Sequence, residues 1–306
     1  MKKIVLLILV LTTITISVNA QEPIQQPKQS NKTSPKTSNG NKINTQPKAE
    51  HYETLSLSKD SLSRLKAVLV VGPSEDVTQK RIDEFKKIAS YLRSLGIQVT
   101  EFYHPQAKWT DIINSTKGAH IFIYSGHGTN SGEQGKSGGV CLSDGTVSSE
   151  SIFKEIKLHK NALVLFYQVC LAAGSSASDN ADIGIKLAVQ RVSDYSFPFV
   201  KLGIGGYYAN NYDKSLNQFL IDFLNKKNIK QIYENEASSF CHIEITQTYI
   251  DDPKYLISVA SNIHSGIATR TIYENGKKKV EKVPRFKEYN IAFVSIPGFT
   301  VLDFFK

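Results

Sequence analysis

Three continuous apolar runs constrain this chain more than any other feature: Ala67-Val68-Leu69-Val70-Val71, His120-Ile121-Phe122-Ile123-Tyr124 and Ala162-Leu163-Val164-Leu165-Phe166-Tyr167. None shows the polar/apolar alternation of a strand with one wet face. Each reads instead as a strand buried on both sides, the pattern of a parallel sheet covered by helices. Between the first two, Ile82, Phe85, Ile88, Ala89, Leu92 and Leu95 recur at helical spacing up to Gly96, and Ile97 to Tyr103 reads as a further strand. Trp109 to Ile113 and Ser149 to Ile156 read as short helices, and Gly139 to Val147 as a hairpin turning at Asp144-Gly145. Phe199 to Ile204 reads as a fifth strand and Leu216 to Leu224 as an apolar helix. Strands alternating with helices predict an α/β fold, a mostly parallel sheet with helices on both faces and right-handed crossovers. Thr269 to Val283, centred on Asn275-Gly276, adds a C-terminal β-hairpin.

The ends of the chain differ in character. Met1-Lys2-Lys3, the apolar run Ile4 to Val18 and Val18-Asn19-Ala20 have the form of a secretory signal peptide, residues 1–20, cut after Ala20. At fewer than the roughly 20 apolar residues a span requires, the run is short for a membrane helix. Removing it leaves no predicted membrane span and places the protein outside the cytoplasm, secreted or periplasmic. Residues 21–60, rich in Gln, Pro, Ser, Asn and Lys, lack the apolar content to offset their ordering entropy and read as a disordered linker or pro-segment. Residues 61–247 then form the central domain and 248–306 a β-rich extension packing on it. The 37 basic and 28 acidic residues give +9. The lysines fall in short runs such as Lys277-Lys278-Lys279 without interleaved aromatics, a solvated surface and no nucleic-acid site.

Function is carried by two strand ends. In an open parallel sheet, ligands bind beyond the carboxyl ends of the strands. The second apolar run leads into Ser125-Gly126-His127-Gly128, and the third into Gln168-Val169-Cys170-Leu171-Ala172-Ala173-Gly174. A thiol and an imidazole at neighbouring strand ends suit nucleophilic catalysis, the ring handling the proton. The other cysteines, Cys141 and Cys241, read as structural. The three thiols are an odd number, so at least one stays unpaired within the chain.

These blocks resemble the caspase-like superfamily of cysteine peptidases, the group of caspases, metacaspases, clostripain, legumain and gingipains. The resemblance lies in an apolar strand ending in Ser-Gly-His-Gly, a Gly-rich hairpin with Asp-Gly, and an apolar strand ending in Gln-x-Cys. The spacing of His127 and Cys170 is close to the roughly 50 residues of caspases. It covers about Leu65 to Phe240. It implies Cys170 as nucleophile, His127 as acid–base partner, an oxyanion site from the N–H groups of Gly128 and Cys170, and a protein or peptide substrate. After the cysteine this chain has Leu171-Ala172 where caspases carry Arg-Gly. Gln168 is the expected contact to the residue preceding the scissile bond. A neutral amide cannot balance a buried Lys or Arg, so a basic preference would draw on Asp179, or on Asp182 or Asp194.

The sequence calls for no cofactor and no metal, since His and Cys are too dispersed for a zinc site. Gly135-Lys136-Ser137 mimics a phosphate loop, but the glycine required five residues earlier is Asn130. Gly174 to Ser178 lacks the last glycine of a serine-hydrolase elbow. The alternative to a peptidase is a catalytically silent binding or scaffold module, which would have no physical need for both His127 and Cys170. A weaker third reading, a nucleotide-binding domain, is undercut by Asn130.

The lysines of the linker and Lys136, in the glycine-rich loop 129–139, are the expected sites of maturation. N-terminal sequencing and intact mass check this. Self-processing gives a fragment starting at Ser137 or within the linker in the wild type and an uncut chain in Cys170→Ala. Identical fragments from both mean another protease cuts.

Overall fold

The computed structural model describes residues 57–306, apart from 133–135, 213–215, 264–266, 275–276 and 285. The signal peptide, nearly all of the linker and the Asn275-Gly276 turn lie outside the described residues. In chain order the elements are α1 (Lys59–Ser63), β1 (Lys66–Val71), α2 (Thr78–Ser94), β2 (Gln98–Tyr103), α3 (Trp109–Ser115), β3 (Ala119–Ser125), β4 (Val140–Leu142) and β5 (Gly145–Val147). There follow α4 (Ser149–Glu155), β6 (Leu158–Tyr167), α5 (Gly184–Lys201), β7 (Gly206–Asn210), α6 (Leu216–Leu224), α7 (Ile229–Phe240), β8 (His242–Thr248), β9 (Leu256–Ile263), β10 (Ile267–Glu274), β11 (Lys277–Pro284) and β12 (Lys287–Ser295).

Eight strands form one sheet in the order β2-β1-β3-β6-β7-β12-β9-β8. The pairs from β2 through β7 are parallel, and β12, β9 and β8 add antiparallel pairs beyond β7. The apolar runs are the central strands, and almost every residue in them is buried. One face is covered by α1, α2, α6 and α7, the other by α3, α4 and α5. Helix α2 turns Ile82, Phe85, Ile88, Ala89 and Leu92 onto the sheet, and α6 does the same with Phe219, Leu220 and Phe223. Each such side chain contributes about 1.5–3 kcal/mol by leaving water. The fold is therefore α/β, with a mostly parallel sheet between two helical layers and a C-terminal hairpin, β10–β11.

Two parts differ from the sequence expectation. Phe199 to Ile204 is no strand: Phe199 and Val200 continue the buried stripe of α5 begun by Ala188, Val192 and Tyr195. The helix ends at Gly203, whose φ of +79° suits glycine. The N–H groups of Gly203 and Ile204 fold back onto the Val200 and Phe199 carbonyls, at 2.9 and 3.4 Å, which closes the last turn. The apolar run is thus a helix end and its cap, and the fifth strand begins at Gly206. Residues 248–306, in turn, do more than pack on the sheet, because β9 and β12 are two of its strands.

At the edge where β1, β3 and β6 begin, His120 stacks on His159 with ring centres 4.3 Å apart, and its Nδ1 accepts the Lys66 N–H at 3.2 Å. Burial first, then His159 and Lys66, lower its pKa to about 4. Arg64 and Lys306 line the same hollow. The unfolded chain, whose histidines titrate near 6.5, binds the extra proton first as pH falls. This group therefore makes the urea midpoint drop as pH falls from about 6.5 to about 4. A His120→Gln variant should show a shallower drop across that window, and an unchanged slope would refute the assignment.

Candidate functional site

Strands β1, β3 and β6 are adjacent and parallel, so the chain leaves all three at one edge of the sheet. Beyond β1 it runs Gly72-Pro73-Ser74-Glu75, beyond β3 Gly126-His127-Gly128, and beyond β6 Gln168-Val169-Cys170. The structure sets the His127 loop against the Cys170 loop at Gly128 and places a carboxylate beside the His127 ring. His127 Nε2 lies 2.8 and 2.9 Å from the two carboxylate oxygens of Glu75. With the two side chains 43% and 53% exposed, the pair stabilises the fold by no more than about 0–1 kcal/mol. Its consequence is orientation: the carboxylate fixes the ring and would balance an imidazolium. Nδ1 makes no hydrogen bond among the described residues.

Gly128 sets how closely the His and Cys loops approach. A Cβ on it would overlap the Cys170 carbonyl oxygen and the Tyr195 hydroxyl, so only glycine lets the two backbones touch. The N–H groups of Gly128 and Cys170 are used by no hydrogen bond among the described residues. Both remain open as donors, as an oxyanion site requires.

The backbone is strained here. Of the five non-glycine residues with positive φ among the described residues, three lie at this edge: Glu75 (+43°), Gln168 (+54°) and Leu171 (+72°). Such conformations cost of order 1–3 kcal/mol each and persist only where neighbours enforce them. For Glu75 the enforcers are on the page. Ser74 N–H donates to Thr78 Oγ1 at 2.7 Å, and that hydroxyl donates to the Glu75 carbonyl at 3.0 Å. Gln168 extends the β6–β7 pairing through its N–H to the Asn210 carbonyl (2.8 Å), and Leu171 N–H closes on Ser175 O (2.8 Å).

Buried tyrosines support these loops from beneath. The Tyr124 hydroxyl donates to the His127 carbonyl at 2.9 Å, with the Cys141 carbonyl equally near. Tyr195 accepts the Thr129 N–H at 2.7 Å, and Tyr207 donates to the Ala172 carbonyl at 2.9 Å. Burial raises all three phenols above their ordinary range, so they stay protonated.

The acidic side chains named from sequence for a basic substrate residue are all engaged. Asp179 forms a two-pronged pair with Arg191, at 2.7 and 2.9 Å, and accepts the Ser176 N–H. That pair ties the loop after Cys170 to α5. Asp182 accepts from Tyr289 (3.1 Å), and Asp194 from the Ser137 backbone. Lys136 is exposed, but Ser137 after it is buried, so cleavage between them requires the loop to open. Sequence reading missed Glu75 and the tyrosine supports. The one signal for Glu75 was a carboxylate just past the Gly-Pro that ends the first apolar run. Among the described residues no group of three or more His, Cys, Asp or Glu could hold a metal ion, and no helix is long and apolar enough to cross a membrane.

No protein-family model matches this chain, and no curated protein matches it. Among solved structures it is similar to the Arg-specific cysteine proteinase gingipain R (RGPB), with a TM-score of 0.33 and 13% identity. That match covers 83% of this chain and 65% of the other, so the chain spans about two-thirds of that structure's length.

The three thiols differ in setting. Burial raises Cys241 to about 11, and its Sγ donates to the Tyr212 hydroxyl. Cys141 faces Thr146 within the β4–β5 hairpin. Alkylation follows thiolate character and access, so iodoacetamide at neutral pH should label Cys170 first and Cys241 last. Peptide mapping reads the order, and labelling of Cys241 before Cys170 would overturn it.

Proposed function

We propose that the chain is a secreted cysteine endopeptidase of the caspase-like kind. The observation that carries this reading is the juxtaposition at one sheet edge: His127 held by Glu75, beside Cys170 across the glycine contact at Gly128. In the proposed reaction His127 Nδ1 takes the Cys170 proton, and the thiolate adds to the peptide carbonyl carbon. The oxyanion is received by the Gly128 and Cys170 N–H groups. The C–N bond then breaks as the imidazolium protonates the departing amine, and water, deprotonated by His127, hydrolyses the thioester. Glu75 keeps the ring in place and offsets its charge through the cycle.

The residue preceding the scissile bond is read as basic or uncharged in preference to Asp. Gln168 is neutral, and Arg191 is already balanced by Asp179.

A peptide-library cleavage profile of the purified protein tests the reading. Cleavage should vanish in Cys170→Ala. It should fall about tenfold in Glu75→Gln, less than the roughly 10²–10⁴ carried by an acid–base group itself, because Glu75 acts through His127. Cleavage retained in Cys170→Ala, or none in the wild type, refutes the peptidase, and efficient cleavage after Asp refutes the specificity.

A further inference from the structure

Helix α5 meets both reactive loops with one face. Ala188, Arg191 and Tyr195 stand at i, i+3 and i+7, so their side chains leave the helix on the same side. Two of them meet the loop that follows Cys170. A Cβ on Gly174 would lie 3.1 Å from the Ala188 Cβ, and Arg191 Nη1 donates to the Gly174 carbonyl at 3.0 Å. The Arg191–Asp179 pair holds the same loop further on, with the two side chains only 15% and 8% exposed. The third residue meets the loop of His127. The Tyr195 hydroxyl accepts the Thr129 N–H, and the Thr129 and Gly139 carbonyls lie 3.1 and 3.2 Å from it.

The ties converge on the glycine contact. A Cβ on Gly128 would meet the Cys170 carbonyl oxygen at 2.1 Å and the Tyr195 hydroxyl at 2.4 Å. One tyrosine oxygen thus lies where the two loops touch, and Arg191, four residues earlier on the helix, holds the Cys170 loop at Gly174. With 1.5 Å of rise per residue, roughly 6 Å of helix separates the two ties. Strand β3 ends at Ser125 and β6 at Tyr167, so beyond those residues their own pairing no longer spaces the loops.

We propose that Arg191 and Tyr195 are positioning residues of this site, with α5 as the rigid brace that sets the Cys170 loop against the His127 loop. The proposal rests on Cys170 and His127 being the reacting pair of the proposed peptidase. Neither Arg191 nor Tyr195 needs to touch substrate. A misplacement of about 1 Å can cost about a hundredfold in rate, so such ties act on turnover more than on substrate binding.

The test combines peptide hydrolysis with backbone hydrogen exchange in three single variants. Arg191→Lys keeps a charge opposite Asp179, so no buried carboxylate is stranded, but gives up the planar fork. Tyr195→Phe removes one hydroxyl. Tyr255→Phe is the matched control, since that hydroxyl holds the Ile204 carbonyl at 2.6 Å, before β7 begins and at the opposite edge of the sheet. Exchange should quicken around residues 171–176 in Arg191→Lys and around 127–131 in Tyr195→Phe, and in neither stretch in Tyr255→Phe. Per folded molecule, kcat should fall about tenfold or more in the first two variants with KM little changed. In Tyr255→Phe it should stay at the wild-type value. A purely structural role predicts the three variants alike, each losing activity only with its unfolded fraction. If Tyr195→Phe does not fold, Arg191→Lys decides alone. Wild-type kcat in a variant whose loop has loosened, unchanged exchange in both loops, or an equal loss in Tyr255→Phe overturns the proposal. Exchange needs no substrate. A wild type that hydrolyses no peptide while its loops respond as stated overturns the peptidase reading alone. Hydrolysis that is lost in Cys170→Ala but kept in both brace variants overturns this proposal alone.

Discussion

Irregular backbone at the end of a buried sheet has to find hydrogen bonds without a ladder to supply them, and tyrosine hydroxyls meet that need throughout this molecule. Tyr124, Tyr195 and Tyr207 hold the His127, Thr129 and Ala172 backbones. Tyr255 and Tyr249 do the same for the Ile204 and Ser193 carbonyls. A buried carbonyl left unpaired costs about 1–3 kcal/mol, so these contacts decide whether the loops can adopt their shapes at all. An aromatic ring packs as part of the core while its tip reaches a polar group, and no aliphatic side chain offers both. Raised phenol pKa values follow from the same burial and keep every donor protonated at neutral pH.

On that support the site becomes a matter of strand order. Because β3 lies between β1 and β6, the His127 loop lies between the loop of Glu75 on one side and that of Cys170 on the other. Neighbouring strands stand about 4.8 Å apart, so short side chains at adjacent ends can meet with little reach. The left-handed turns at Glu75, Gln168 and Leu171 then aim the backbone back toward the edge. Their strain is sustained by Thr78, by the Asn210 carbonyl and by the Ser175 carbonyl respectively. None of these supports is itself reactive, which is why rigidity and chemistry are separable here.

The central strands, α2 and α6 were legible because burial on both faces leaves uninterrupted apolar runs and one-sided burial leaves a helical stripe. That His127 and Cys170 lie on neighbouring loops was legible because the runs before them read as parallel strands, which release the chain at one edge. Glu75 was not, since a single carboxylate in a turn carries no periodicity, and its partner stands 52 residues away in the chain. Phe199 to Ile204 misled because a helix end followed by its cap is as apolar as a short buried strand; only Ala188, Val192 and Tyr195 upstream distinguish them. Sequence shows the charge of Asp179 and hides Arg191 opposite. The placement of β9 and β12 in the main sheet is a long-range pairing, and local pattern holds no record of it.

That pairing makes the last strand part of the site's support. Beside β7, β12 carries Tyr289 under the loop that follows Cys170. The Ser175 N–H donates to the Tyr289 carbonyl at 2.9 Å, and the Tyr289 N–H returns to Ser175 Oγ at 2.7 Å. A Cβ on Gly174 would crowd the Tyr289 Cβ and Ala188, so glycine lets the loop lie this close to β12 and α5. Since Leu171 closes on the same Ser175, the turn holding Cys170 is anchored at one end to β7 through Gln168 and at the other to β12. A nucleophile on a loop is as well placed as the loop's two anchors. Here one anchor is local and the other comes from more than a hundred residues later, so the cysteine turn is complete only once the C-terminal strands have joined the sheet.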